Sequence, residues 1–282
     1  MSRPIDLACL QTRPMPDFAS ALNEALPLAQ EAVETGAQIL FLPEYCGGLM
    51  TEGAAVVPPS APEGAHPFLN DIQQFARDAG VWINAGSVAV DGSDGRIINR
   101  GYMIDPSGAL HGRYDKIHMF DIQLSEDEIY RESDRVSPGG QAVIHDTPFG
   151  RIGHTICYDL RFPDLFRSLA KAGAEILICP AAFTQKTGEA HWHVLNRARA
   201  IENTRFVVSC CAIGDVPGGG GCFGHSLVVS PWGDVIADGG AAPGVVHARI
   251  DLEHVTQSAA RIPSLQADRP YQIAGTPGRS VA

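Results

Sequence analysis

Arg151-Ile152-Gly153-His154-Thr155-Ile156-Cys157 is an apolar run that stops at the polar corner Tyr158-Asp159-Leu160-Arg161-Phe162-Pro163. A strand that ends in a sharp turn and passes into a helix leaves its last side chain at the carboxyl edge of a sheet. Chains present nucleophiles there. The positive end of the following helix, which has proline in its first turn, favours thiolate over thiol at Cys157. Two other strands end in the same way: Gln38-Ile39-Leu40-Phe41-Leu42-Pro43 leads to Glu44, and Gly112-Arg113-Tyr114-Asp115 leads to Lys116. A thiol, a carboxylate and an ammonium at three strand ends supply a nucleophile, a base for its proton and a positive charge for an oxyanion. Attack on an amide or nitrile carbon needs that set.

The pattern of strand, corner and helix extends outward from this stretch. Residues 5–11 read as a short buried strand, and residues 17–35 have apolar positions at helical spacing, with Asp17 as N-cap and Gly36 as stop. Residues 67–79, closed by Gly80, form a second helix, followed by strands at 81–90 and 96–104 bracketed by turn clusters. Beyond Cys157 the expected order is helix 163–172, strand 175–179, helix 189–204, strand 206–213, then strands at 226–230, 235–237 and 245–250. Such alternation in two halves predicts an α/β protein with two sheets, each covered by helices on its outer side. Residues 217–221 contain four consecutive glycines and predict a mobile loop. No linker divides the halves, so one domain is expected over 1–282, with a polar C-terminal extension from about 261 to 282.

Bulk properties narrow the function classes. With 45% hydrophobic and 19% charged residues the chain reads as globular. A formal charge of −11 argues against a nucleic-acid partner, because such binding draws on basic patches. No run approaches the ~18 apolar residues of a membrane span, and nothing in residues 1–6 resembles a secretory signal, so none is expected. Seven cysteines, an odd number lying mostly in apolar strands, read as reduced thiols. A cytoplasmic protein with no membrane partner is expected.

Taken in order, Phe-Leu-Pro-Glu-Tyr (41–45), Tyr-Asp-Lys-Ile-His-Met-Phe-Asp (114–121) and Ile-Cys-Tyr-Asp-Leu-Arg-Phe-Pro-Asp-Leu (156–165) resemble the Glu-Lys-Cys signature of the nitrilase superfamily, or carbon–nitrogen hydrolases. The resemblance runs from Asp6-Leu7-Ala8-Cys9-Leu10-Gln11 to Ala248-Arg249-Ile250-Asp251. It implies a four-layer α-β-β-α sandwich, catalysis by Glu44, Lys116 and Cys157, no cofactor, and a homodimer or higher homo-oligomer. Arg131-Glu132-Ser133, followed by Ser137-Pro138-Gly139, is similar to the segment carrying the family's second glutamate, which makes Glu132 the fourth catalytic candidate. Thr187-Gly188-Glu189-Ala190-His191-Trp192-His193 and Arg197-Ala198-Arg199-Ala200-Ile201-Glu202-Asn203 look most like the amidase branch acting on deaminated glutathione and ω-amides of 2-oxo acids.

The substrate side is expected to use the backbone N–H of Tyr158 as oxyanion donor, with Ala181 and Phe183 on the pocket wall. Arg161 is the candidate partner for an anionic substrate, with Arg197 and Arg199 as alternatives. The partner implied is a small amide. The alternatives are an N-carbamoyl amine or amino-acid hydrolase, a true nitrilase, or a catalytically silent binding subunit of the same fold. A metal site is not expected, since His191 and His193 sit at alternate helix positions that face different ways.

Overall fold

The computed structural model describes residues 2–53, 55–123, 126 and 129–274, so positions 275–282 of the expected extension lie outside the described residues. Strand Pro4–Gln11 pairs in parallel with Ile39–Phe41, which pairs in parallel with Trp82–Asp91. Ile97–Ile104 and Leu110–Asp115 extend this first sheet antiparallel on one side. On the other side Gly244–Asp251, from near the chain's end, closes it antiparallel against Pro4–Gln11. The second sheet runs in the order Val143–Thr147, Gly150–His154, Ile176–Ile178, Phe206–Ser209, Leu227–Val229, Val235–Asp238.

Side-chain alternation divides each strand between two cores. Ile5, Leu7 and Cys9 face the other sheet, whereas Ala8 and Leu10 meet helices. In Ile176–Ile178 the two isoleucines join the inter-sheet core and Leu177 points outward. Helices α1 (Phe18–Glu34) and α2 (Pro67–Ala79) cover the first sheet; α3 (Pro163–Lys171) and α4 (Gln185–Asn203) cover the second. The architecture is therefore a four-layer α-β-β-α sandwich. Strands buried on both faces read as unbroken apolar runs, which is why the segments before Glu44 and Cys157 were conspicuous.

Helix ends follow their sequence signals. Asp17 accepts the N–H of Ser20 at 2.8 Å as N-cap of α1, and Gly80 closes α2 in the left-handed region with φ +67°. Two expectations need correction. Helix α4 begins at Gln185, before residue 189, because Gly188 lies inside it as a contact point: a Cβ there would be 2.3 Å from Cγ of Phe223. The strand expected over 206–213 stops at Ser209, and Ile213–Asp215 forms a hairpin with Gly221–Phe223.

The glycine run is the turn of that hairpin, not a free loop. Thr51 donates its N–H to the Pro217 carbonyl at 2.9 Å and its hydroxyl to the Gly219 carbonyl at 2.8 Å. Gly218, at φ +96°, passes so close to Thr51 that a Cβ would lie 1.8 Å from the Thr51 carbonyl oxygen. After α5 (Glu253–Arg261) the chain has no helix or strand through residue 274, and Tyr271 and Ile273 are 86% and 90% exposed. Among the described residues no helix is long and apolar enough to cross a membrane.

Candidate active site

Four chain segments from both sheets converge on one cavity of about 330 Å³. Glu44 follows Ile39–Phe41, Lys116 ends Leu110–Asp115, Glu132 opens a short helical turn, and Cys157 follows Gly150–His154. All four side chains line the cavity and all are buried. Lys116 Nζ donates to Glu44 Oε1 at 2.9 Å and to both Glu132 oxygens at 2.9 and 2.8 Å. One ammonium thus holds two carboxylates that would otherwise repel each other.

Neighbouring groups fix the carboxylates. Asn99 donates its side-chain N–H to Glu44 Oε1 at 2.9 Å, and the Ala182 backbone N–H donates to Glu44 Oε2 at 2.9 Å. Glu132 accepts the Phe120 N–H at 2.6 Å and the Tyr45 hydroxyl at 3.4 Å. These contacts leave the Glu44 carboxylate little freedom to turn away from the thiol.

Cys157 occupies the left-handed region at φ +48°, a strained setting for a residue with a Cβ and one often found where a side chain must be aimed. Its N–H is held by the Pro180 carbonyl at 2.9 Å. Burial raises the thiol's pKa well above its ordinary value, Glu44's charge adds to the rise, and Lys116 offsets only part of it. This corrects the expectation of a thiolate. The turn beginning at Cys157 is a short 3-10 segment with the buried carboxylate of Asp159 inside it, which itself accepts the Ile156 N–H at 2.8 Å and the Tyr114 hydroxyl at 2.7 Å. For Lys116, burial works against the ammonium, but Glu132 and Glu44 outweigh it and the pKa stands well above the lysine value. The resting site therefore combines a protonated thiol with a charged lysine.

A measurable consequence follows for thiol reactivity. Modification of Cys157 by methyl methanethiolsulfonate in the substrate-free protein should be slower at pH 7 than that of a free thiol. Its rate should still climb through pH 9, because a raised pKa keeps the thiolate scarce until higher pH. A rate that levels off below pH 8 would contradict the protonated resting state.

Of the substrate-side candidates, Tyr158 and Phe183 line the cavity. Ala181 does not; it is buried beneath the wall, bridged to Cys211, and Ala182 takes the lining position. Arg161 lies behind the wall, with its guanidinium 5.9 Å from the Tyr158 ring centre and 5.6 Å from that of Phe183. Arg197 and Arg199 are occupied elsewhere, donating to the carbonyls of Gly233 and Leu160. Instead the cationic residues on the cavity wall nearer solvent are Arg131 and Lys186. Sequence reading also gave no role to Asn99 or Asp159. Asn99 carries no spacing signal, whereas Asp159, an acid two residues beyond the nucleophile, offered one.

Comparison with known proteins agrees with this architecture. The carbon-nitrogen hydrolase family profile matches residues 6–260. The chain is 35% identical over 257 residues to the omega-amidase NIT2 of Xenopus tropicalis, covering 91% of this chain and 92% of that one. It is 37% identical over 269 residues to the deaminated glutathione amidase of Homo sapiens, covering 94% and 82%. The crystal structure of the C. elegans NitFhit protein superposes with a TM-score of 0.86 at 29% identity over 95% of this chain, which spans 66% of that longer chain. Saccharomyces cerevisiae Nit3, described as a member of branch 10 of the nitrilase superfamily, gives 0.81 at 26% identity over 93% and 95%. On its sequence and its fold alike, the chain belongs to the carbon-nitrogen hydrolase family.

Proposed function

We propose that the protein is a cysteine-dependent amidase that hydrolyses the C–N bond of a small carboxylate-bearing amide, deaminated glutathione or an ω-amide of a 2-oxo acid, to the acid and ammonia. The observation that carries this reading is Cys157 lining the same cavity as the Glu44–Lys116–Glu132 array. Cys157 Sγ bonds to the amide carbon as its proton passes to Glu44, and the carbonyl electron pair moves onto oxygen. Lys116 and the Tyr158 N–H stabilise that oxyanion. Collapse breaks the C–N bond, Glu44 returns the proton to nitrogen, and ammonia leaves a thioester. Glu44 then takes a proton from water as its oxygen adds to the thioester carbon; the C–S bond breaks, the acid leaves, and Glu44 returns the proton to Cys157 Sγ. Glu132 acts by gripping Lys116 through both of its oxygens.

The names of the two relatives supply the substrate class, and the cavity supports it. Arg131 lies toward the solvent side, where a guanidinium can meet a substrate carboxylate while the amide end reaches the thiol. Ammonia release should be measured across ω-amides of 2-oxo acids, deaminated glutathione, N-carbamoyl amino acids and nitriles. The proposal expects the anionic amides to lead by at least about tenfold in kcat/KM; preference for a carbamoyl compound or nitrile would replace it. Arg131→Gln should raise KM for the anionic amides by roughly tenfold, at constant kcat, since it removes binding shared by ground and transition states. Neutral amides should be unaffected.

A homodimer is part of this proposal. Its motivation is the segment beyond α5, which leaves Tyr271 and Ile273 exposed on a single chain. Truncation after Ile262 should weaken both dimerisation in sedimentation and turnover. A truncated chain that dimerises and turns over normally would remove the tail from the account.

A further inference from the structure

On the outer side of the second sheet, away from the thiol, three elements bring together side chains whose sequence spacing gives no motif. His193 comes from α4, His225 from the turn before Leu227–Val229, and Asp238 from the end of Val235–Asp238. His193 Nε2 lies 2.9 Å from Asp238 Oδ2, and His225 Nδ1 lies 2.8 Å from Asp238 Oδ1. One ligand atom from each of the three falls within 4.8 Å of the other two. His193 thus finds its partners across the fold, not at His191.

We propose that His193, His225 and Asp238 bind a borderline divalent cation of the zinc type. Two imidazoles and a carboxylate are a donor set that zinc accepts, with water completing a tetrahedron. Bonds of about 2.0–2.2 Å place tetrahedral ligand atoms about 3.3 Å apart. The two His–Asp spacings would open by about half an ångström, and the imidazoles, which now meet different carboxylate oxygens with ligand atoms within 4.8 Å of one another, would turn onto one shared ion. The half-exposed cluster leaves room for the water: the three side chains are 37%, 27% and 33% exposed.

The surroundings hold the ligands in place. The Gly240 N–H donates to Asp238 Oδ1 at 2.9 Å, which orients the carboxylate. His225 sits at φ +51°, its carbonyl accepts the indole N–H of buried Trp192 at 2.7 Å, and its ring stacks on Phe223 at 4.6 Å. Phe223 ends the Gly221–Phe223 strand, and Gly221 and Cys222 of that strand line the cavity. A cation at this cluster would therefore tie α4 and Val235–Asp238 to the back of the cavity wall.

The test is calorimetric titration of zinc into the metal-stripped full chain carrying Cys157→Ala, so that the active-site thiol does not compete. One zinc per chain with micromolar affinity is expected, weakened at least tenfold by His193→Ala and likewise by Asp238→Asn. Circular dichroism and melting should be unchanged in both, and at least one variant meeting that condition suffices. Cobalt should give visible d–d bands without the near-ultraviolet band of sulfur ligation. Absence of saturable binding below millimolar zinc, equal affinity in a folded His193→Ala or Asp238→Asn variant, or a sulfur charge-transfer band overturns the proposal.

Discussion

Replacement of Cys157 by alanine is expected to lower kcat by about 10⁴-fold or more while leaving the fold intact. The side chain lost is small, so the packing cost is slight compared with removal of the thiol that hydrogen-bonds the Glu44 side chain. Serine at the same position should be nearly as inactive, because the Glu44 base would then face an alcohol, a harder group to deprotonate. Melting of both variants should stay close to wild type. Intact-mass spectrometry with a slow substrate should show the acyl adduct on the peptide containing Cys157. Turnover by the alanine variant within about tenfold of wild type, or an adduct on Cys46 or Cys222, would remove Cys157 from the mechanism.

Lys116→Met should be the most disruptive change in the site, for stability as well as rate. The methionine fills the volume but leaves Glu44 and Glu132 buried without the ammonium between them. An uncompensated buried charge costs roughly 3–5 kcal/mol, which for a chain of this size lowers Tm by about 10 °C. Activity should be undetectable. Adding Glu132→Gln removes one of the two carboxylates and their mutual repulsion and should recover part of the stability, since Glu44 stays buried without a cation, and should not recover activity. Acidification should also narrow the gap to wild type, because one carboxylate can take up a proton there. Lys116→Met with wild-type Tm would mean that the pair is not held as described.

Much of this was legible because strands buried on both faces declare themselves as apolar runs, and Glu44 and Cys157 each stand at the end of one. Glu44 and Cys157 were readable for that reason, and Lys116 because it ends a strand beside a turn. The groups that orient them were not. Asn99 and the Ala182 N–H reach Glu44 from segments 55 and 138 positions away, and nothing local marks a residue that acts through such a distant partner. Propensity misled at Gly188, where a residue that breaks isolated helices is required by the ring packed against it. The protonation of Cys157 was misjudged because a helix end is visible in sequence, whereas burial and the approach of the Glu44 charge appear only once the chain is folded.

The pairing of Gly244–Asp251 with Pro4–Gln11 has a consequence for biosynthesis. Pro4–Gln11 is synthesised more than two hundred residues before its partner, and until residue 251 emerges the first sheet has a bare edge of unpaired backbone groups beside Ile5, Leu7 and Cys9. Such an edge is a template for pairing with another nascent chain. Products of premature termination before Gly244 should therefore be recovered in aggregates and bound to chaperones, and chains that include Gly244–Asp251 should be free of them.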